Sequence, residues 1–359
     1  MRPSRNPREH RLNILRILLE EGLDRQALIA TMLTSRSASL APLLLAAGIA
    51  FAPLQLTAAD NTFERTFKVS GPVTRLELSN GSGNVDIRGS ADGEVHIQGK
   101  VTPGGWTIFG STEKNIQEVL ANPPLEQSGD TIRVGKNTSW LKNVSIDYKI
   151  EVPRSTEIDA GVASGGITVE QVKGPVKGSS ASGYVHVYTV ERDVQISAAS
   201  GSIEISGIGG YVRVNSASGD VNIKDTKGDI KATAASGSIR IEKPGDRVEA
   251  SSASGAVDVV GANNDVKVHL ISGSINVSGN PTGNRLWDLK TVSGSVEINV
   301  PKNASFLLSA ESTSGGIRTD IPIIIEEQSK HSLRAHVGDS SGRVEVHTVS
   351  GGIDLRSAS

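Results

Sequence analysis

The residues able to do chemistry are dispersed. Seven histidines (His10, His96, His186, His269, His331, His336 and His347) lie along a chain of 359 residues that has no cysteine. Without thiols there is no disulfide, zinc–thiolate site or cysteine nucleophile. The histidines show no HExxH or related ligand spacing, and His331 and His336 fall in a polar stretch read as a loop. No nucleophile elbow and no Gly-Lys-Ser/Thr phosphate loop is expected. Asp220 and Asp229 directly follow glycines, but the GGxGxD turns of a calcium roll are missing, so no metal is expected.

Polysaccharide chemistry needs clustered carboxylates, usually beside aromatic platforms. The polar residues that recur between paired aliphatics are Thr168, His186, Glu204, Asn222, Arg240, Asp258, Asn276 and Glu297. Their acids are mostly single and flanked by neutral or basic neighbours, as on a solvated sheet face that avoids like-charge contact. Trp106 and Phe109, in GGWTIFGS, form either an exposed binding spot or, more simply, an anchor for a following helix. No catalytic, cofactor-binding or metal-binding residue is assigned, and the ligand-binding residues are not identifiable.

The elements that carry these residues repeat. Ser-Gly steps begin at Ser164, Ser182, Ser200, Ser218, Ser236, Ser254 and Ser272, each 18 residues after the last, and continue with looser spacing at Ser293, Ser314, Ser341 and Ser350. Each regular step precedes a β-branched pair at alternate positions, such as Val185/Val187, Ile203/Ile205 and Ile239/Ile241. Such pairs read as short strands with one buried face. A second turn follows, often at glycine (Gly174, Gly210, Gly228), and then a weaker pair such as Val194/Ile196 or Val212/Val214. The unit of 18 residues therefore holds two strands and two turns.

A fixed period of this kind predicts an all-β, single-domain parallel β-solenoid, in which each coil buries against the next. Glycine stacks at the corner because the turn needs positive φ or a close backbone approach. An antiparallel meander is the competing arrangement. The solenoid is preferred because strong pairs always follow Ser-Gly, weak pairs always follow the other turn, and Asn-Gly or Asp-Gly hairpin signals do not dominate. Outward residues of the weaker strands (Lys177, Gln195, Arg213, Lys231, Glu249, Lys267) would stack into a mildly basic stripe, a candidate face for an anionic polymer or acidic partner. STEKNIQEVL, from Ser111, predicts one short helix with Ile116, Val119 and Leu120 on one face. The segment from Pro322 to His336 interrupts the late coils as a loop or strand excursion.

Aromatic residues make up only 3% of the chain, so Val, Ile, Leu and Ala must supply the core. SLAPLLLAAGIAFAPLQLTAAD, Ser39 to Asp60, matches a secretory h-region and cleavage site better than a membrane span. Met32 is the expected native start, with residues 1–31 a non-native extension, 32–59 a signal peptide and 60–359 the solenoid domain. The rival reading is an amphipathic helix followed by a membrane anchor. Without residues 1–59 the chain carries 30 basic and 35 acidic residues, which gives no footprint for nucleic acid.

The series ASGGITV, ASGYVHV, ASGSIEI and SASGDVNI, preceded by VSIDYKIEVP and closed by TVSGGIDL, resembles the "putative adhesin" family of bacterial exported β-strand-repeat proteins, domains of unknown function. The resemblance covers roughly residues 63–359. It implies a β-solenoid in or on the cell envelope and transfers no catalytic residues. The expected function is a non-enzymatic, adhesin-like interaction or structural module, exported to the periplasm or cell surface. Its partner would be an envelope polymer or protein, and the expected state is a monomer without cofactor. The alternatives are a polysaccharide-acting enzyme and a self-assembling envelope filament.

Overall fold

Alternation of β-branched and polar residues makes every 18-residue unit lay down two strands, one in each of two facing sheets. The computed structural model describes residues 61–71, 73–104, 111–135 and 143–358, all within one unit, Ala58–Ser359. One sheet has 14 strands and the other 15. The strand Val185–Val190, after a Ser-Gly corner, lies in the first sheet between Ile167–Val172 and Ile203–Ile208, parallel to both. Val194–Ser200, after the second turn, lies in the other sheet between Val176–Ser182 and Val212–Ser218, again parallel. This is the parallel β-solenoid, and the meander is excluded.

The core is the seam between the sheets. Val185, Val187, Ile203 and Ile205 face it from one side, and Val194, Ile196, Val212 and Val214 from the other, all fully buried. Where one coil brings a small residue, the next fills the space: a Cβ on Gly178 would lie 2.8 Å from Ile196 Cδ1. The few large core residues stand toward the ends. Trp287 is fully buried and donates its indole N–H to Asn264 O at 2.9 Å.

Corner serines stack in one column, with Ser82, Ser164, Ser182, Ser200, Ser218, Ser236, Ser254, Ser272, Ser293 and Ser350 paired in register. Ser314 N donates to Val349 O, and a Cβ on Gly315 would meet Gly351 O, so this corner caps the column. Ser341 is the exception. It belongs to a turn beside Ser305 and not to a corner.

The two ends share a device that the repeat alone does not reveal. Arg75–Ser82 and Val85–Ser90 form a coil that stacks directly on Glu157–Ser164 and Ile167–Val172. Its other side is covered by Thr131–Val134 and Val144–Pro153, so the chain travels outward and then returns past this coil. At the far end the last strands in sequence, Gly342–Ser350 and Ile353–Ser357, slot between Leu286–Val300 and the earlier Phe306–Thr319. Neither terminal coil is an edge.

Antiparallel strands finish both ends. Thr62–Lys68 and Glu94–Pro103 extend the first sheet. The Pro322–His336 segment is a strand excursion, a hairpin of Ile324–Gln328 and Ser332–Val337 added to the second sheet. The helix runs Ser111–Ala121 with Ile116 and Val119 fully buried. Residues 1–60, where the signal segment and extension are expected, and Trp106 and Phe109 lie outside the described residues. Among the described residues no helix is long and apolar enough to cross a membrane.

Candidate ligand-binding face

Side chains at one position of successive coils form columns at the strand spacing of about 4.8 Å. On the first sheet the column reads Asp86, Thr168, His186, Glu204, Asn222, Arg240, Asp258, Asn276, Glu297 and Asp354. Several of its charged residues meet a partner close by. His186 Nε2 lies 3.9 Å from Glu204, Asn276 donates to Asp258 at 2.6 Å, and Arg356 lies 3.3 Å from Glu297. Arg240 Nε donates to Glu242 at 2.7 Å, and that bond, first among the causes, holds the Glu242 carboxyl below its ordinary range. Among the described residues no three His, Asp or Glu side chains are grouped to hold a metal ion.

On the second sheet the expected basic stripe is broken. Register continues the column to Glu77 and Asp159 at one end and to Asp288 and Glu345 at the other. Lys177 pairs with Asp159 at 3.2 Å and Lys231 with Glu249 at 2.8 Å. The hydrogen bond from Lys231 is the main reason the Glu249 carboxyl titrates below its ordinary range. Burial would raise the Asp288 carboxyl, but hydrogen bonds from Lys290 and His269 outweigh it and hold the group low. The acids come from coils beyond the regular stretch, so counting only the regular coils overstated the positive charge. Beside this column small residues, including Ser179, Ser197, Thr233, Ala181 and Ala235, floor a shallow groove of about 1180 Å³.

One string with the letters of a nucleophile elbow, Gly338-Asp339-Ser340-Ser341-Gly342, escaped the sequence reading. His336 is on a strand rather than in a loop. Its Nδ1 lies 2.6 Å from Ser340 Oγ, and its Nε2 meets Glu326. Ser340 has φ of 59°, a left-handed conformation. The bonding order is that of an acyl-transfer triad, but its surroundings are not. The N–H after the serine should point at an oxyanion; here Ser341 N donates to Ser305 Oγ at 3.2 Å and Gly342 N to Ser305 O at 3.1 Å. No helix follows the turn. The constellation ties the turn that leaves the hairpin to Ser305, just before the strand Phe306–Ser312.

The sequence reading also missed an aromatic row. In YVHVY the alternate residues Tyr184, just before the strand Val185–Val190, and His186 and Tyr188 on it face outward while Val185 and Val187 enter the core. Tyr184 and His186 stack with centroids 4.5 Å apart and planes 28° from parallel; His186 and Tyr188 are 5.9 Å apart and tilted by 47°. Gly166 in the preceding coil makes room, since a Cβ there would lie 2.0 Å from the Tyr184 ring. Glu170 is the register partner of Tyr188, and Glu204 that of His186. The Tyr188 phenol titrates above its ordinary range through partial burial, then a hydrogen bond to Glu204 and the charges of Glu204 and Glu170. Beside Tyr188 opens a shallow depression of about 540 Å³, bounded by Glu204, Asn222, Lys224, Arg240 and Glu242. The alternating aromatics of YVHVY are the signal; one outward residue per coil, taken alone, shows only His186.

No curated protein matches the sequence significantly. Among solved structures, one of a "putative cell adhesion protein" from Clostridium sporogenes is similar at 11% identity over 83% of this chain and 100% of that one, with a TM-score of 0.23. A family model for Toastrack DUF4097 matches residues 68–284 and again 249–356, nearly all of the described solenoid. The chain belongs to the Toastrack DUF4097 family.

Proposed function

We propose that this Toastrack solenoid is a non-enzymatic, adhesin-like interaction module of the bacterial envelope. It is exported behind residues 32–59 and stands in the periplasm or on the cell surface. The observation that carries this reading is how the faces are built. Charged side chains pair with neighbours one coil away instead of converging, and the aromatic row is mounted on a strand hydrogen-bonded on both sides. A rigid, regular surface of this kind presents groups to a partner without reorganising. Its partner is an envelope polymer or an envelope protein.

The test sediments the purified chain with bacterial envelope preparations and assays the same mixture for new reducing ends. Saturable co-sedimentation without product release is the expected result. Absence of binding contradicts the module reading, and release of reducing ends favours the polysaccharide-acting enzyme. Envelopes stripped of protein by protease separate the two partner classes.

A further inference from the structure

We propose that the depression beside Tyr188 is a glycan subsite that takes a neutral hexose or N-acetylhexosamine unit. This deepens the reading of the domain as a binding module and rests on it. The first argument is placement. The chain has only four tyrosines, and Tyr148 is buried in the core, whereas Tyr184 and Tyr188 flank a histidine on an outward face. Core packing does not call for them there. Stacking Tyr184 on His186 over Gly166 braces the row, so the Tyr188 ring meets a ligand with little motion left to lose.

The second argument is the mixture of groups. A pyranose presents axial C–H groups on one face and hydroxyls around its edge. An aromatic face, negative at its centre, takes the first, and side chains that both donate and accept take the second. Tyr188 supplies a ring; Glu204 and Asn222 supply acceptors and donors within the same depression of about 540 Å³, a size suited to a small ligand.

The third argument is charge. The two cations at the depression share one carboxylate, Arg240 lying 2.7 Å and Lys224 3.6 Å from Glu242. The acids lining the depression, Glu204, Asp225 and Glu242, outnumber its cations, Lys224 and Arg240, and Glu170 is the register partner of Tyr188, a balance that disfavours uronate or sulfated sugars. A neutral ring is the ligand that loses nothing there.

The test titrates the full chain with neutral hexasaccharides of β-1,4-glucose, α-1,4-glucose and β-1,4-N-acetylglucosamine, with polygalacturonate and an unrelated acidic peptide as comparators. Binding is read by calorimetry and by amide chemical shifts. At least one neutral glycan should bind with shifts centred on Tyr188 and Asn222. Tyr188→Ala should weaken it about tenfold, equal to about 1.4 kcal/mol, and Tyr188→Phe, which keeps the ring face, should stay within about twofold. Tyr211→Ala, on the opposite sheet, should change nothing, and equal unfolding midpoints would show that the variants fold. Tighter binding of polygalacturonate or the peptide overturns the proposal, as does failure of every neutral glycan or full affinity in Tyr188→Ala. Envelope co-sedimentation that survives Tyr188→Ala sinks the subsite and leaves the module reading standing; its absence in the wild type sinks the module reading itself.

Discussion

At the scale of single residues, the backbone conformation of each corner decides what can stand there. Gly201 has φ of 118°, and a Cβ on it would lie 1.9 Å from Gly183 O. Gly201→Ala should therefore cost about 3 kcal/mol or more in urea unfolding. Gly81→Ala, with nothing near its Cβ, should be close to neutral. A second left-handed column was not legible, because its residue types vary. Gln171, Thr189, Asp225 and Lys243 have φ of 50–58°, and Gly207 and Gly261 share their position. Only the glycines could have signalled it. Thr189→Gly should stabilise the fold by about 0.5–1 kcal/mol, the left-handed penalty less glycine's entropy cost. Tyr148 gives a pH prediction. Burial pushes its phenol well above the ordinary range, so below about pH 10 both folded and unfolded states keep the proton. Above that the unfolded state ionises first and stability falls as pH rises. Denaturant unfolding at pH 9 and pH 11 should show a loss that is smaller in Tyr148→Phe.

At the scale of elements, the period of 18 was enough to place strong and weak pairs on opposed sheets, because side-chain alternation and turn spacing are local properties. The order of the end coils was not readable. LELSNGSGNVDIRG carries the corner signature, yet no local feature shows that Ser82 stacks on a serine 82 residues later. The same holds for Gly342–Ser357, whose neighbours on both sides come from earlier in the chain. This interleaving predicts a long-range dependence. A chain ending at residue 341 leaves Phe306–Val337 without its inner neighbour, so trypsin, cutting after Lys302, should remove the segment from residue 303 onward rapidly there and slowly in the intact chain. Equal protection in both would mean that the outer coil holds without the inserted one. The aromatic row failed to show for a related reason: three alternate residues become a platform only when the coil before them provides a glycine.

At the scale of the whole molecule, stability is a sum over coils and their interfaces. Deleting residues 201–218 joins Ser200 to Gly219 and restores the corner, so the shortened chain should still unfold cooperatively. Deleting nine residues, 201–209, exchanges the faces and should abolish the fold. The outermost strand Ile324–Gln328 exposes Ile324 by 70% but carries Glu326 and Glu327, which oppose edge-to-edge growth. Light scattering from dilute to concentrated solution should therefore return the monomer mass, and a rising mass would favour the filament. We propose that this solenoid works outside the cytoplasm as a display surface. The most direct measurement is protease shaving of cells carrying an epitope tag on the solenoid, intact and after osmotic shock, with a cytoplasmic marker followed in parallel. Digestion of the tag in intact or shocked cells while the marker survives is the expected result. A tag that resists until the cells are lysed would contradict it.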